Sequence, residues 1–245
     1  MRIAVLSDIH SNLNALEAVL GAIGGVGAVD AVWHLGDTVG YGPAPQAVVE
    51  RLRAAGALGV RGNHDEAGGG GTCITYFNPD GFSAMNWTRT QIDESTRLYL
   101  ARLPEVIVPE GSGFTLAHGS PSDPIWEYVT SPEVAAANLT AFDTPYCLVG
   151  HTHVPRVFRE SRGRMKAISV DAEDRLALDG TRMILNPGSV GQPRDGDPRS
   201  SFALIDTGAA EVTWHRVEYD IGATQAAMVA AGLPPWLARR LGFGR

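Results

Sequence analysis

Short apolar runs alternate with amphipathic stretches along the first quarter of the chain. Arg2–Leu6 is an apolar run ending in Ser7-Asp8, and it predicts a central strand. Leu13, Leu16, Val19, Leu20 and Ile23 then recur at helical spacing, with Ser11 or Asn12 placed to cap the start. Residues 31–35 predict a second strand that ends in Gly36-Asp37. A second helix is expected after Pro43 or Pro45, carrying Val48, Val49 and Leu52, because proline suits a first turn. Residues 58–60 predict a third strand, which runs into Gly62-Asn63-His64-Asp65. Strand-helix-strand-helix-strand implies a parallel sheet with right-handed crossovers.

Residues 68–71 are four glycines, read as a mobile loop, and a helical stretch is expected from 79 to about 103. The second half is strand-rich, with runs at 106–108, 114–117, 146–149, 156–159, 183–185, 202–205 and 212–217. A helix from 132 to about 142 interrupts them, and the tail over about 222–245 is helical apart from Gly232-Leu233-Pro234-Pro235. No linker or repeat divides the pattern. The expectation is one domain over 1–245, with two sheets face to face and helices outside.

Composition narrows the class. A hydrophobic content of 44% in 245 residues supports a substantial core. The formal net charge of -7 gives no nucleic-acid-binding signal, which would need a basic face. Cys73 and Cys147 do not make a disulfide framework, and Cys147 lies in an apolar strand as a core residue. Strand pattern follows Met1 directly, and no apolar run approaches the roughly 20 residues of a membrane span. A cytoplasmic protein with no membrane partner is expected, and a homo-oligomer is compatible with the sequence.

The chemistry lies in five short runs: Asp8-Ile9-His10, Gly36-Asp37, Gly62-Asn63-His64-Asp65, His118-Gly119 and Gly150-His151-Thr152-His153. Asp, Asn and His supply the oxygen and nitrogen donors that hold divalent metals. The early motifs fall just past the carboxyl ends of predicted strands, where open α/β sheets bind ligands. A single Asp-x-His is weak evidence, since Ser11 or Asn12 could merely cap a helix there. Five such runs are better explained by a two-metal centre. His34, inside a strand, reads as a packed core histidine, and His215 as a surface strand residue.

In this order the motifs resemble the calcineurin-like metallophosphoesterases, over residues 2 to about 191, including Asn186-Pro187-Gly188-Ser189-Val190-Gly191. Gly40-Tyr41-Gly42-Pro43, His118-Gly119-Ser120-Pro121 with Trp126-Glu127-Tyr128, and Gly232-Leu233-Pro234 look like a bacterial and archaeal subgroup often labelled diadenosine-tetraphosphatase-related. The resemblance implies an α/β fold, a four-layer α/β/β/α sandwich of two packed mixed sheets. It implies one ion on Asp8, His10 and His153, a second on Asn63, His118 and His151, and Asp37 bridging both. Two features of the residues agree: a carboxylate has the lone pairs to bridge, and His151 and His153 would point the same way on an extended segment. Manganese is favoured as cofactor, and iron, zinc, cobalt or nickel suit the same donors.

The implied activity is hydrolysis of small phosphodiesters or nucleotides by a metal-bridging hydroxide. His64 would assist the leaving group and Asp65 would orient its imidazole, making both catalytic candidates. Asn12, Tyr41 and Trp126 are candidates for touching substrate. The chain departs from the Ser/Thr protein phosphatases of the superfamily, since Gly36-Asp37-Thr38 lacks the Asp-Arg-Gly that supplies a phosphate-binding arginine. That absence removes one reason to prefer monoester dianions. The alternatives are a dinucleoside polyphosphate hydrolase, a phosphomonoesterase, or a metal-binding interaction scaffold without turnover, as in the retromer subunit of the superfamily. The complete set of donors together with His64 favours an enzyme.

Overall fold

The computed structural model describes Met1–Arg245. Its strands are β1 (Arg2–Leu6), β2 (Ala31–His34), β3 (Leu58–Gly59), β4 (Val106–Ile107), β5 (Phe114–Ala117), β6 (Tyr146–Leu148), β7 (Arg156–Ser161), β8 (Arg164–Ser169), β9 (Arg175–Ala177), β10 (Met183–Asn186), β11 (Ser200–Asp206) and β12 (Glu211–Val217). Its helices are α1 (Leu13–Gly25), α2 (Pro45–Ala54), α3 (Asn63–Gly68), α4 (Pro79–Gln91), α5 (Glu94–Arg102), α6 (Pro132–Ala137), α7 (Ile221–Ala230) and α8 (Pro235–Arg240).

The strands form two sheets, ordered β3-β2-β1-β11-β12-β9 and β4-β5-β6-β10-β7-β8. β1, β2 and β3 are parallel, as their helical crossovers require, while β11 pairs antiparallel with β1. In the second sheet β5, β6 and β10 are parallel and the flanking pairs antiparallel, so both sheets are mixed.

Alternation along β1 divides its side chains between two cores. Ile3 and Val5 join Trp33, Phe114, Leu148, Leu185 and Trp214 in the core between the sheets. Ala4 and Leu6 turn the other way, onto Leu16 and Val19 of α1 and Val48 and Leu52 of α2. On the far side, Cys147, Phe158 and Ile184 meet Ala135 of α6. The result is the expected succession of helix, sheet, sheet and helix. Trp214 ties the two sheets directly, its indole N–H donating to the Asn186 carbonyl at 3.0 Å.

Three local expectations need correction. The stretch from 79 to 103 is two helices, α4 and α5, because Asp93 accepts the Thr96 N–H at 2.7 Å and starts a new one. β8 and β9 carry little apolar pattern because they are edge strands, exposing Arg164, Lys166 and Arg175. The glycine run is not a loose loop. Gly69 is buried, and a Cβ there would lie 2.9 Å from the Ala101 backbone, so the run lets α3 lie close against α5. No helix is long and apolar enough to cross a membrane.

The topology carries all five motifs to one rim, just past the carboxyl ends of β1, β2, β3, β5 and β6. The segment after β10 is stitched along the end of β1: the Val190 N–H donates to Ser7 O and the Gly191 N–H to Asp8 O. This crossing needs glycine, since a Cβ on Gly191 would sit 1.8 Å from the Ile9 carbonyl oxygen. Gly191→Ala is therefore expected to cost about 1–3 kcal/mol or more, the range for forced overpacking. Gly21→Ala, on the exposed side of α1 with nothing within 4 Å of the new Cβ, should gain about 0.5–1 kcal/mol. Urea unfolding of the two variants in chelator checks both signs.

Candidate metal centre

Backbone strain marks the rim. Ten non-glycine residues have positive φ, and seven of them are Asp8, His10, Ser11, Asp37, Tyr41, His151 and His153. Each such conformation costs on the order of 1–3 kcal/mol and persists only where the surroundings enforce it. It corrects one expectation: His151 and His153 do not lie on an extended segment. With φ of 64° and 60°, each turns the chain, and their rings go to different groups of donors.

The first group is Asp8, His10, Asp37 and His153, and the second is Asp37, His118 and His151; within each, the donor atoms lie within 4.8 Å of one another. Asp37 belongs to both. Its Oδ2 is 3.6 Å from His10 Nε2 and 3.4 Å from His118 Nε2, while its Oδ1 accepts the His64 backbone N–H at 2.9 Å. Asn63 joins the second group, its Oδ1 lying 3.2 Å from His118 Nε2. All seven residues are buried.

The hydrogen bonds on the outer sides of the rings set which atoms face inward. His10 turns Nδ1 to the Val39 carbonyl at 3.2 Å, and His153 turns Nδ1 to the Gln192 carbonyl at 2.7 Å. A carbonyl only accepts, so both Nδ1 atoms carry the proton and both Nε2 atoms present lone pairs. Those two Nε2 atoms face each other at 3.2 Å, with Asp8 Oδ1 3.4 Å from His153 Nε2. His118 repeats the pattern: Nδ1 donates to Leu35 O at 2.8 Å, and Nε2 faces Asn63, Asp37 and, at 2.9 Å, His151 Nδ1. Three imidazole lone pairs thus converge on the carboxylates of Asp8 and Asp37. Only nitrogen and oxygen donors are involved, which is the chemistry that fits divalent cations.

Burial sets the electrostatics. It pushes the Asp8 carboxyl up to about 7 and that of Asp37 well above its ordinary value, the neighbouring Asp65 adding to the latter. It holds His10 and His153 well below theirs, and His151 at about 2. Burial thus favours the neutral form of these three imidazoles, and a bound cation would favour the ionised carboxylates that burial alone opposes.

Four of the donors, Asp37, Asn63, His151 and His153, border a cavity of about 240 Å³ that is also lined by His64, Tyr41, Trp126, Tyr128 and Arg194. His64 is only 2% exposed, its ring held between Tyr41 at 4.4 Å and Phe77 at 4.5 Å, with Nδ1 3.2 Å from the Met85 sulfur. Asp65 does not orient it. The Asp65 carboxylate instead accepts from the Thr38 N–H at 2.8 Å, the Thr38 hydroxyl at 2.6 Å, the Val39 N–H at 3.3 Å and the Gly62 N–H at 3.0 Å. Neighbouring residues on a helix face different ways, so Asp65 fixes the loop carrying Asp37 while His64 faces the cavity.

Asn12 is likewise turned away from the expected contact with substrate. It caps α1 through the Ala15 N–H and donates to the Gly191 carbonyl, which uses both ends of its amide. Tyr41 and Trp126 do line the cavity. His34 is fully buried, and neither ring nitrogen has a partner. His215 lies on β12, stacked on Phe202 and paired with Glu173 at 3.0 Å.

Arg194 was not legible in the motifs. Its Nε and Nη2 rest on Gln192 Oε1 at 3.3 and 2.8 Å, no carboxylate pairs with it, and it lies over the Tyr41 ring at 5.9 Å. The signal available was position alone: Gln192-Pro193-Arg194 directly follows the Asn186–Gly191 turn.

Comparison with known proteins places this geometry. Residues 1–210 match the family described as Calcineurin-like phosphoesterase superfamily domain. The chain is 38% identical to an uncharacterized protein of Methanocaldococcus jannaschii, over 99% of this chain and 98% of that one. It is 28% identical to the phosphodiesterase YfcE of Escherichia coli K12, over 86% of this chain and 91% of the relative. The crystal structure of a metallophosphoesterase from Sphaerobacter thermophilus is similar over the full length of both chains, with a TM-score of 0.90 at 46% identity. On these matches, and with a rim of divalent-metal donors at its strand ends, the chain belongs to the calcineurin-like phosphoesterase superfamily.

Proposed function

We propose that this protein hydrolyses small phosphate esters, phosphodiesters foremost, with two divalent ions held by Asp8, His10 and His153 and by Asn63, His118 and His151, and shared by Asp37. The carrying observation is the Asp37 carboxylate, whose Oδ2 stands between two sets of inward-facing lone pairs. Manganese suits this all-nitrogen and oxygen set and is the ion we assign. Bound there, the ions supply Lewis acidity toward phosphoryl oxygens and lower the pKa of a coordinated water.

The chain's own residues do the rest. Arg194, unpaired at the cavity wall, grips a phosphoryl oxygen through a charge-assisted hydrogen bond. It supplies a cation that the second motif lacks, so the missing arginine there no longer argues for diesters. The diester preference is supported instead by similarity to the Escherichia coli relative named as a phosphodiesterase. His64 stands at the cavity without belonging to either donor group and acts on the leaving-group oxygen. Burial holds its pKa well below the ordinary value, with Arg194 adding to the effect. An arriving phosphoryl anion favours the imidazolium, so substrate itself arms the acid.

Three results test this reading. Asp37→Asn should weaken both ions together, and Asn63→Ala mainly one, by elemental analysis of Mn²⁺-reconstituted protein; a wild type that takes up a single ion contradicts the shared carboxylate. His64→Ala should retain both ions while turnover falls by about 10²–10⁴, the range for a positioned general acid. The loss should be smallest for a p-nitrophenolate leaving group and largest for an alkoxide, and equal losses would remove the proton-donor role. Arg194→Ala should lower kcat/KM about ten- to a hundred-fold, from ~1.5–3 kcal/mol for a hydrogen bond to a charged group, with metal content unchanged and partial recovery in Arg194→Lys.

A further inference from the structure

A file of aromatic rings leads from the cavity floor to solvent. His64 meets Phe77 at 4.5 Å, Phe77 meets Trp126 at 5.8 Å, and Trp126 meets Tyr76 at 5.6 Å, each pair edge to face. All four line the same cavity as Asp37 and Arg194. Tyr76 closes the file at the mouth and is 78% exposed. It touches Trp126 edge to face, and most of its ring surface is uncovered. Asn78 stands beside it at the cavity, its Oδ1 committed to the Gly81 N–H at 2.8 Å and its amide N–H groups left to donate.

A phosphoryl pocket with only a methyl or other alkyl ester to recognise has no use for this wall. Flat ring faces beside a hydrogen-bond donor, one short step from an anion site, match a heterocycle joined to phosphate. We infer that Tyr76 and Trp126 form a stacking site for the base of a nucleoside phosphate, which makes the substrate of this centre a nucleotide ester. The inference rests on the phosphoester reading and adds the identity of the organic group. The same chemistry could come from a free nucleotide or from the end of a polynucleotide. The formal charge of -7 favours the free nucleotide, because further phosphates would meet an acidic protein.

Calorimetric titration of the Mn²⁺-reconstituted chain with AMP and with methyl phosphate separates these contributions without requiring turnover. AMP should bind at least about ten-fold tighter than methyl phosphate. Tyr76→Ala and Trp126→Ala should each weaken AMP by about five-fold or more, in line with the stacking of one base on an aromatic ring. Tyr76→Phe should keep the wild-type affinity, and methyl phosphate should bind all variants alike. A 5′-phosphorylated tetra-adenylate should bind no tighter than AMP. Equal binding of AMP and methyl phosphate, or an AMP advantage untouched by both alanine variants, overturns the stacking site and leaves the phosphoester reading standing. Failure of methyl phosphate to bind the metal-loaded chain overturns both. A tetra-adenylate more than ten-fold tighter than AMP overturns the free nucleotide as ligand.

Discussion

The inward-facing lone pairs around Asp37 are the constraint on which the rest of the rim depends. His10, His118 and His153 each spend their proton on a backbone carbonyl, and each turns a bare nitrogen toward a carboxylate, an amide oxygen or another imidazole. A buried acceptor with no donor costs about 1–3 kcal/mol. Several imidazole lone pairs converging on two buried carboxylates make a place that favours positive charge. Divalent cations held there would satisfy them together and would link folding to ion binding through the same atoms.

That arrangement has to be held against backbone strain and against repulsion, and the fold does so from behind. Asp65 clasps Thr38, Val39 and Gly62, which joins the loop after β2 to the start of α3. The segment after β10 runs along the end of β1 at a spacing only Gly191 allows. The helices α7 and α8 and the turn between them bring Met228, Leu237 and Leu233 into one apolar cluster with Tyr41, so one wall of the cavity is set by residues near the carboxyl terminus. The Asp65 clasp and the segment after β10 lie directly beside Asp37 and Asp8, two of the residues in left-handed conformation.

Much of this was readable in the sequence, for a physical reason. Metal donors in short runs past apolar strands are rare chemistry in a fixed order, and the structure brings Asp8, His10, Asp37, Asn63, His118, His151 and His153 within reach of one another. The two-sheet layering was readable from the apolar strand runs of both halves together with the family resemblance. What the sequence hid was direction. Asp65 adjoins His64 in the chain yet faces the loop, because α3 starts at Asn63 and splays successive side chains apart. Asn12 spends its amide on a helix cap and a carbonyl. Arg194 belongs to no motif, and nothing in a lone arginine after a proline states that it closes a cavity formed by five other segments. The edge strands β8 and β9 escaped because they bury little.

The central claim is that two ions share Asp37. Low-temperature electron paramagnetic resonance of the chain loaded with two equivalents of Mn²⁺ tests it most directly, because a shared carboxylate couples the two spins. The account predicts a spectrum of a spin-coupled pair, with many closely spaced hyperfine lines that give way to the isolated-ion pattern in Asp37→Ala. A full complement of Mn²⁺ showing only the six-line signal of separate ions would contradict it.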